Sequence, residues 1–197
     1  MSARRGIVAA VTLAVALGAG LAACGGSSGS SSSQGSEPAD VSPPGDIPDS
    51  QAFVAYTPSG GGYSIDVPEG WARTDLATGA SFTDKLNSIR VETAPAPTAP
   101  TTASVRADEI PKIQATTDGF GLGTISTVSR PAGDAVLVKY RAGSAPDAVT
   151  GKRITQDVEH YELWNNGTLA TITLTSPKGA DNVDPWRTVT TSFRWLP

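Results

Sequence analysis

The chain has 197 residues, with 15 lysines and arginines against 19 aspartates and glutamates, for a formal net charge of −4. That acidic balance argues against nucleic acid as a partner and against simple attraction to anionic lipid headgroups. A single cysteine excludes an internal disulfide, so packing alone must hold the fold.

The first element reads as an export signal. Arg4 and Arg5 form a positive start, residues 6–20 are uncharged and mostly Ala, Val, Leu and Gly, and small residues precede position 24. Ile7 to Ala23 falls short of the ~20 residues that a membrane span needs, and it contains Gly18 and Gly20. The run Leu21-Ala22-Ala23-Cys24 resembles the lipobox of bacterial lipoproteins. The resemblance implies cleavage between Ala23 and Cys24, a thioether to diacylglycerol on the Cys24 thiol, and a further acyl chain such as palmitate on the new amine. Two chains anchor stably, because each buried methylene contributes about 0.8 kcal/mol and one chain alone is marginal. The expected location is therefore outside the cytoplasm, lipid-anchored at the outer face of the cell membrane. Residues 24–50 are rich in Gly, Ser and Pro, with almost no apolar side chain to offset the entropy of ordering. They read as a disordered tether after a signal peptide at 1–23, with one globular domain over 51–197.

Within that domain, Ala52 to Thr57 is a short strand ended by Pro58-Ser59-Gly60-Gly61-Gly62. Tyr63, Ile65 and Val67 alternate with polar residues, which predicts a strand with one buried face. Pro68-Glu69-Gly70 is a turn, and Trp71 opens the next strand. Ala80–Asp84 and Asn87–Glu92 read as an antiparallel pair, followed by an exposed Pro/Ala/Thr loop over Ala94–Thr102. Thr102 or Ser104 caps a helix over roughly 103–116, with Val105, Ile110 and Ile113 as its apolar stripe. Pro111 removes a donor inside that helix and predicts a bend or break. Gly123–Ser129 and Ala135–Arg141 are the next strands, with Val136, Val138 and Tyr140 on one face.

Arg153–Asn165 and Thr168–Thr175 flank Asn166-Gly167, the strongest short hairpin signal. A two-residue loop pairs Trp164 with Leu169, Leu163 with Ala170 and Tyr161 with Ile172. Tyr161, Leu163, Ala170 and Ile172 are expected on the core face, and His160, Glu162, Trp164, Thr171 and Thr173 on a half-wet face. Asp184-Pro185 reads as N-cap and first residue of a closing helix to about Thr191. Trp186, Val189 and Phe193 form its packed stripe, although Ser192–Leu196 competes as a last strand. Strands dominate and no βαβ rhythm is present, so the fold class is α+β with an antiparallel sheet flanked by helices.

The segments GGYSIDVPEGW (61–71), YELWNNGTLATITLTSP (161–177) and DPWRTVTTSFRW (184–195) resemble, in order and spacing, the PsbP-like fold of the Mog/PsbP superfamily. They are similar in particular to the LpqN/LpqT-type lipoproteins of mycobacteria and their relatives. The likeness implies an α/β/α sandwich and a partner-binding or assembly role, not an enzyme activity, and a fold alone is weak warrant for function.

The residues advertise no catalytic set. His160 is the only histidine, and no G-x-S-x-G elbow accompanies it. His160 and Glu162 share a strand face, but two ligands are fewer than the three or four a zinc site uses, so no metal or cofactor is expected. Asp66, Asp157, Glu159 and Glu162 are carboxylates whose pairing depends on the fold. Trp164, beside the turn, is the best candidate for an exposed binding anchor, with His160 and Glu162 on the same surface. The leading expectation is a non-enzymatic, lipid-anchored binding or accessory domain of the envelope with a protein partner. A carrier of a small apolar or glycolipid ligand comes second, and a hydrolase third.

Overall fold

The computed structural model describes residues 44–197. The signal segment, Ala23, Cys24 and most of the tether lie outside the described residues. Among the described residues, ten strands and three short helices follow one another in the order β1 (Phe53–Tyr56), β2 (Tyr63–Pro68), β3 (Ala72–Leu76), β4 (Gly79–Asp84), β5 (Asn87–Pro95), α1 (Thr102–Ser104), α2 (Ile110–Thr116), β6 (Gly121–Arg130), β7 (Gly133–Gly143), β8 (Thr155–Asn165), β9 (Thr168–Pro177), α3 (Val183–Ser192) and β10 (Arg194–Trp195).

The strands form two antiparallel sheets, where the sequence suggested one. A seven-stranded sheet runs β3-β4-β5-β9-β8-β7-β6, and a three-stranded sheet runs β1-β2-β10. The large sheet divides the core. One face carries Ala80, Phe82, Ile89, Val91, Leu137, Leu163, Ala170, Ile172 and Leu174 against Tyr63, Ile65 and Val67 of the small sheet and Trp186, Val189 and Phe193 of the α3 segment. The opposite face carries Val136 and Val138 against Val105, Ile110 and Ile113 of the first helical segment. The result is the expected α+β architecture, a sheet between helices.

The β8–β9 hairpin has the register its turn demands: Trp164 faces Leu169, Leu163 faces Ala170 and Tyr161 faces Ile172. Asn166 and Gly167 have φ of 45° and 84°, the left-handed pair that suits the twist of a tight hairpin.

Pro111 breaks the first helical segment in a specific way. Val105–Glu109 between α1 and α2 is a π turn, closed by the Ile110 N–H donating to the Val105 carbonyl. Proline cannot donate, and its ring crowds the carbonyl four residues earlier, so the regular pattern fails there. The extra residue also solves a spacing problem. In a regular helix Val105 and Ile110 would point about 140° apart, at about 100° per residue. The widened turn lets both be buried on the sheet.

Three boundaries differ from the sequence reading. Ile47, expected in the tether, is buried in the main core, so the packed domain begins before residue 51. The closing helix starts at Val183 with Asn182 as N-cap, one turn-half ahead of Asp184. Both readings of the C-terminus hold in part: Phe193 ends α3 and is fully buried, and Arg194–Trp195 pairs with Ser64 and Tyr63 of β2.

Candidate functional site

The face of β8 expected to be half-wet is covered. In register, His160 lies opposite Val138 and Glu162 opposite Val136. These valines pack under the first helical segment, so their neighbours are roofed as well. His160 is 7 % exposed and Glu162 5 %. This corrects the expectation of a surface formed by His160, Glu162 and Trp164.

Trp164 is not a free anchor either. It is half-buried, and its Nε1 donates to the Ala96 carbonyl at 2.9 Å. A second bond, from the Ala96 N–H to the Gly167 carbonyl at 2.8 Å, ties the same loop to the hairpin turn. Trp164 therefore fixes the segment after β5 onto the β8–β9 turn.

Beneath the helical segment, Glu109 joins His160 and Glu162, and one ligand atom from each lies within 4.8 Å of the others. The His160 Nδ1 lies 3.1 Å from the Thr173 hydroxyl. Its Nε2 is 3.5 Å from Glu162 Oε1, a separation that makes no hydrogen bond, and Nε2 has no other partner among the described residues. Lys112 donates to Glu109 Oε2 at 3.1 Å, and this bond raises the lysine's pKa. The sequence reading found two members of the group and missed Glu109. The available signal was the five-residue gap between Val105 and Ile110, which only an inserted residue reconciles with one buried face.

On the opposite face of the sheet, a cleft of about 550 Å³ opens between the β6–β8 end and the start of α3, with Leu122, Lys139, Arg141, Asp157, Glu159 and Trp186 among its lining. Its floor is charged and internally paired. Lys139 meets Glu159 at 2.5 Å and Arg141 meets Asp157 at 3.6 Å. The Tyr161 hydroxyl donates to Glu159 Oε2 at 2.6 Å and accepts from Arg130 Nη2 at 3.2 Å. Burial, and then the bond to Glu159, pushes the Tyr161 pKa up to about 12. The Arg130 guanidinium also lies over the Tyr161 ring, 5.2 Å from its centre, and donates through Nε to Thr190 of α3. The lip of the cleft is apolar and exposed, with Leu122 at 39 % and Val183 at 68 %. Of the four carboxylates singled out by sequence, Asp157 and Glu159 lie in this floor, Glu162 lies on the other face and Asp66 lies on β2. Asp157 and Glu159 each have a cation beside them, Arg141 and Lys139 respectively.

No family model and no curated protein matches the chain. Among solved structures it is similar to the cyanobacterial PsbP, CyanoP, of Synechocystis sp., at 16% identity and a TM-score of 0.53, over 74% of this chain and 94% of that one. Two weaker likenesses are to the Ran-binding protein Mog1p of Saccharomyces cerevisiae and to LpqN, involved in cell envelope biogenesis of Mycobacterium tuberculosis. Mog1p is 11% identical with a TM-score of 0.49, over 74% of this chain and 96% of that one. LpqN is 12% identical with a TM-score of 0.44, over 76% of this chain and 93% of that one. At such identities the likeness to CyanoP speaks to architecture and not to activity, and on that ground the chain has a PsbP-like α+β fold.

Proposed function

We propose that this chain is a non-enzymatic binding domain of the bacterial envelope, exported by its first 23 residues, anchored by lipid on Cys24, and presenting the cleft beside α3 to an envelope protein. The motifs that resemble LpqN/LpqT-type lipoproteins support the location and the accessory role. The observation that carries the binding role is the cleft itself. A pre-ordered polar floor, with Lys139 paired to Glu159 and Arg141 to Asp157, meets exposed Leu122 and Val183 at its lip, and Tyr161 and Arg130 beside the cleft hold Glu159 in place. Apolar contacts at the lip supply affinity, and a floor whose charges are already fixed adds selectivity with little ordering cost. An open cleft with a charged floor does not suit a small apolar ligand, so of the second reading only its glycolipid form fits the same cleft. The hydrolase reading loses its only histidine to the roofed face.

The test is photo-crosslinking in cells, with the full lipoprotein carrying a crosslinking amino acid at the position of Val183. A control places it at Arg106, exposed on the opposite face of the sheet. One envelope protein captured from Val183 and not from Arg106, and lost when Cys24→Ala releases the anchor, is the expected result. Equal capture from both positions, or none from Val183, would sink the proposal.

A further inference from the structure

We propose that Glu109, His160 and Glu162 form a binding site for a divalent first-row transition ion, of which Zn²⁺ is the type. Three side chains from two separate elements converge here: Glu109 ends the π turn, and His160 and Glu162 lie two apart on β8. Bonds of about 2.0–2.2 Å to a tetrahedral ion set its donor atoms roughly 3.4 Å apart. The His160 Nε2 to Glu162 Oε1 separation is 3.5 Å. The third donor, within 4.8 Å, needs a shift of about 1 Å. Glu109 can supply it, because its side chain is 32% exposed and sits at the edge of the roof.

The histidine is the independent observation. Its side chain is more than nine-tenths buried, and among the described residues Nε2 has no hydrogen-bond partner while facing a buried carboxylate. In the tautomer whose Nδ1–H donates to the Thr173 hydroxyl, the Nε2 lone pair faces the lone pairs of Glu162 Oε1, 3.5 Å away. Two facing lone pairs in a buried site call for a cation between them. A donor bond from the far ring nitrogen is also what orients metal-bound histidines. One imidazole and two carboxylates match a borderline divalent ion in charge and donor type. Three protein ligands leave a fourth position open. Lys112 holds Glu109 from the solvent side and competes with the ion. π turns are frequent at functional sites, and here the turn sets Glu109 over the sheet.

The full-length chain, stripped with chelator, is titrated with Zn²⁺ and separately with Co²⁺. His160 is the chain's only histidine, so its imidazole resonances report this site and not the Cys24 thiol. Expected are one ion per chain, displaced His160 resonances and a Co²⁺ visible spectrum of nitrogen–oxygen type. Glu109→Gln weakens binding by at least about tenfold, and Lys112→Met strengthens it. His160→Gln should abolish binding. Should it not fold, the half-exposed Glu109→Gln decides. Resonances of His160 that move with pH but not with Zn²⁺ would assign the pair a proton and overturn the proposal, as would a Glu109→Gln chain that binds as tightly as the parent.

Discussion

Asn182 joins three parts of the domain through one side chain. Its Oδ1 accepts from the Ile47 N–H at 2.8 Å, and its Nδ2 donates to the Gly45 carbonyl at 3.0 Å and to Asn87 Oδ1 at 3.2 Å. The residue is 2 % exposed and its partners Ile47 and Asn87 are each 5 % exposed, so those two cannot turn to water instead, whereas the half-buried Gly45 carbonyl keeps a second donor in Asn87 Nδ2. Losing the amide leaves a buried N–H and a buried carboxamide oxygen unpaired, and each such orphan costs roughly 1–3 kcal/mol. Asn182→Ala should therefore destabilise the domain by about 3 kcal/mol. Its signature is local, because the first groups released are Gly45 and Ile47. Hydrogen exchange should show the Ile47 amide losing protection ahead of the sheet. Protection of Ile47 unchanged in the variant would show that Ile47 is held by its apolar contacts alone. Nothing in the sequence marked this residue. The Asp-Pro pair two positions on is the stronger helix-start signal, and the Asn182 partners lie 95 to 137 residues away.

At the scale of elements, local chemistry was legible wherever it set the answer locally. The hairpin is the clearest instance, since Asn166-Gly167 fixes both the loop length and the register of ten cross-strand pairs. Gly167 has φ of +84°, and a Cβ built on it would meet nothing within 4 Å. Gly167→Ala thus isolates the backbone term, about 1–2 kcal/mol for an L-residue forced into the left-handed region. Gly79 is the contrast: its Cβ would come within 1.8 Å of the Val91 carbonyl oxygen in the paired strand. Denaturant unfolding should give Gly167→Ala a lower midpoint with an unchanged slope, and Gly79→Ala a markedly larger loss. Equal losses would mean that the turn, like the sheet, has no room. What stayed illegible was non-local. His160 and Glu162 alternate with core residues and sit across from Thr173 and Thr171, so their face reads as wet. Only the pairing of β8 with β7 puts them beside Val138 and Val136, and only a helix about fifty residues earlier in the chain covers all four. The cleft is illegible for the same reason, since its floor and its lip come from β6, β7, β8 and the start of α3.

The domain formed by the described residues is a sheet packed on both faces, and the two core faces differ in what they bury. The α3 side encloses two tyrosines, Tyr63 at 1 % and Tyr161 at 2 % exposure. Burial raises the pKa of both, that of Tyr161 to about 12 from an ordinary 10. Between those values the folded chain keeps protons that the unfolded chain releases, so stability falls as pH rises. The contribution is complete below pH 10 and is lost as pH passes through about 12. The net charge of −4 becomes more negative over the same range as lysines discharge, and self-repulsion acts in the same direction. Alkaline unfolding should therefore be cooperative, with Tyr63 and Tyr161 ionising in the same transition that abolishes the far-ultraviolet signal of the sheet. Substitution separates the two contributions. The Tyr161 hydroxyl bonds Glu159 and Arg130, so Tyr161→Phe removes structure along with the proton. The Tyr63 hydroxyl has no partner among the described residues, so Tyr63→Phe removes the ionisable group and no bond. The Tyr63→Phe chain should hold its fold to higher pH than the parent, with neutral-pH stability equal or greater. A transition that stays in place, or moves to lower pH, would assign alkaline unfolding to surface charge rather than to the tyrosines beneath α3.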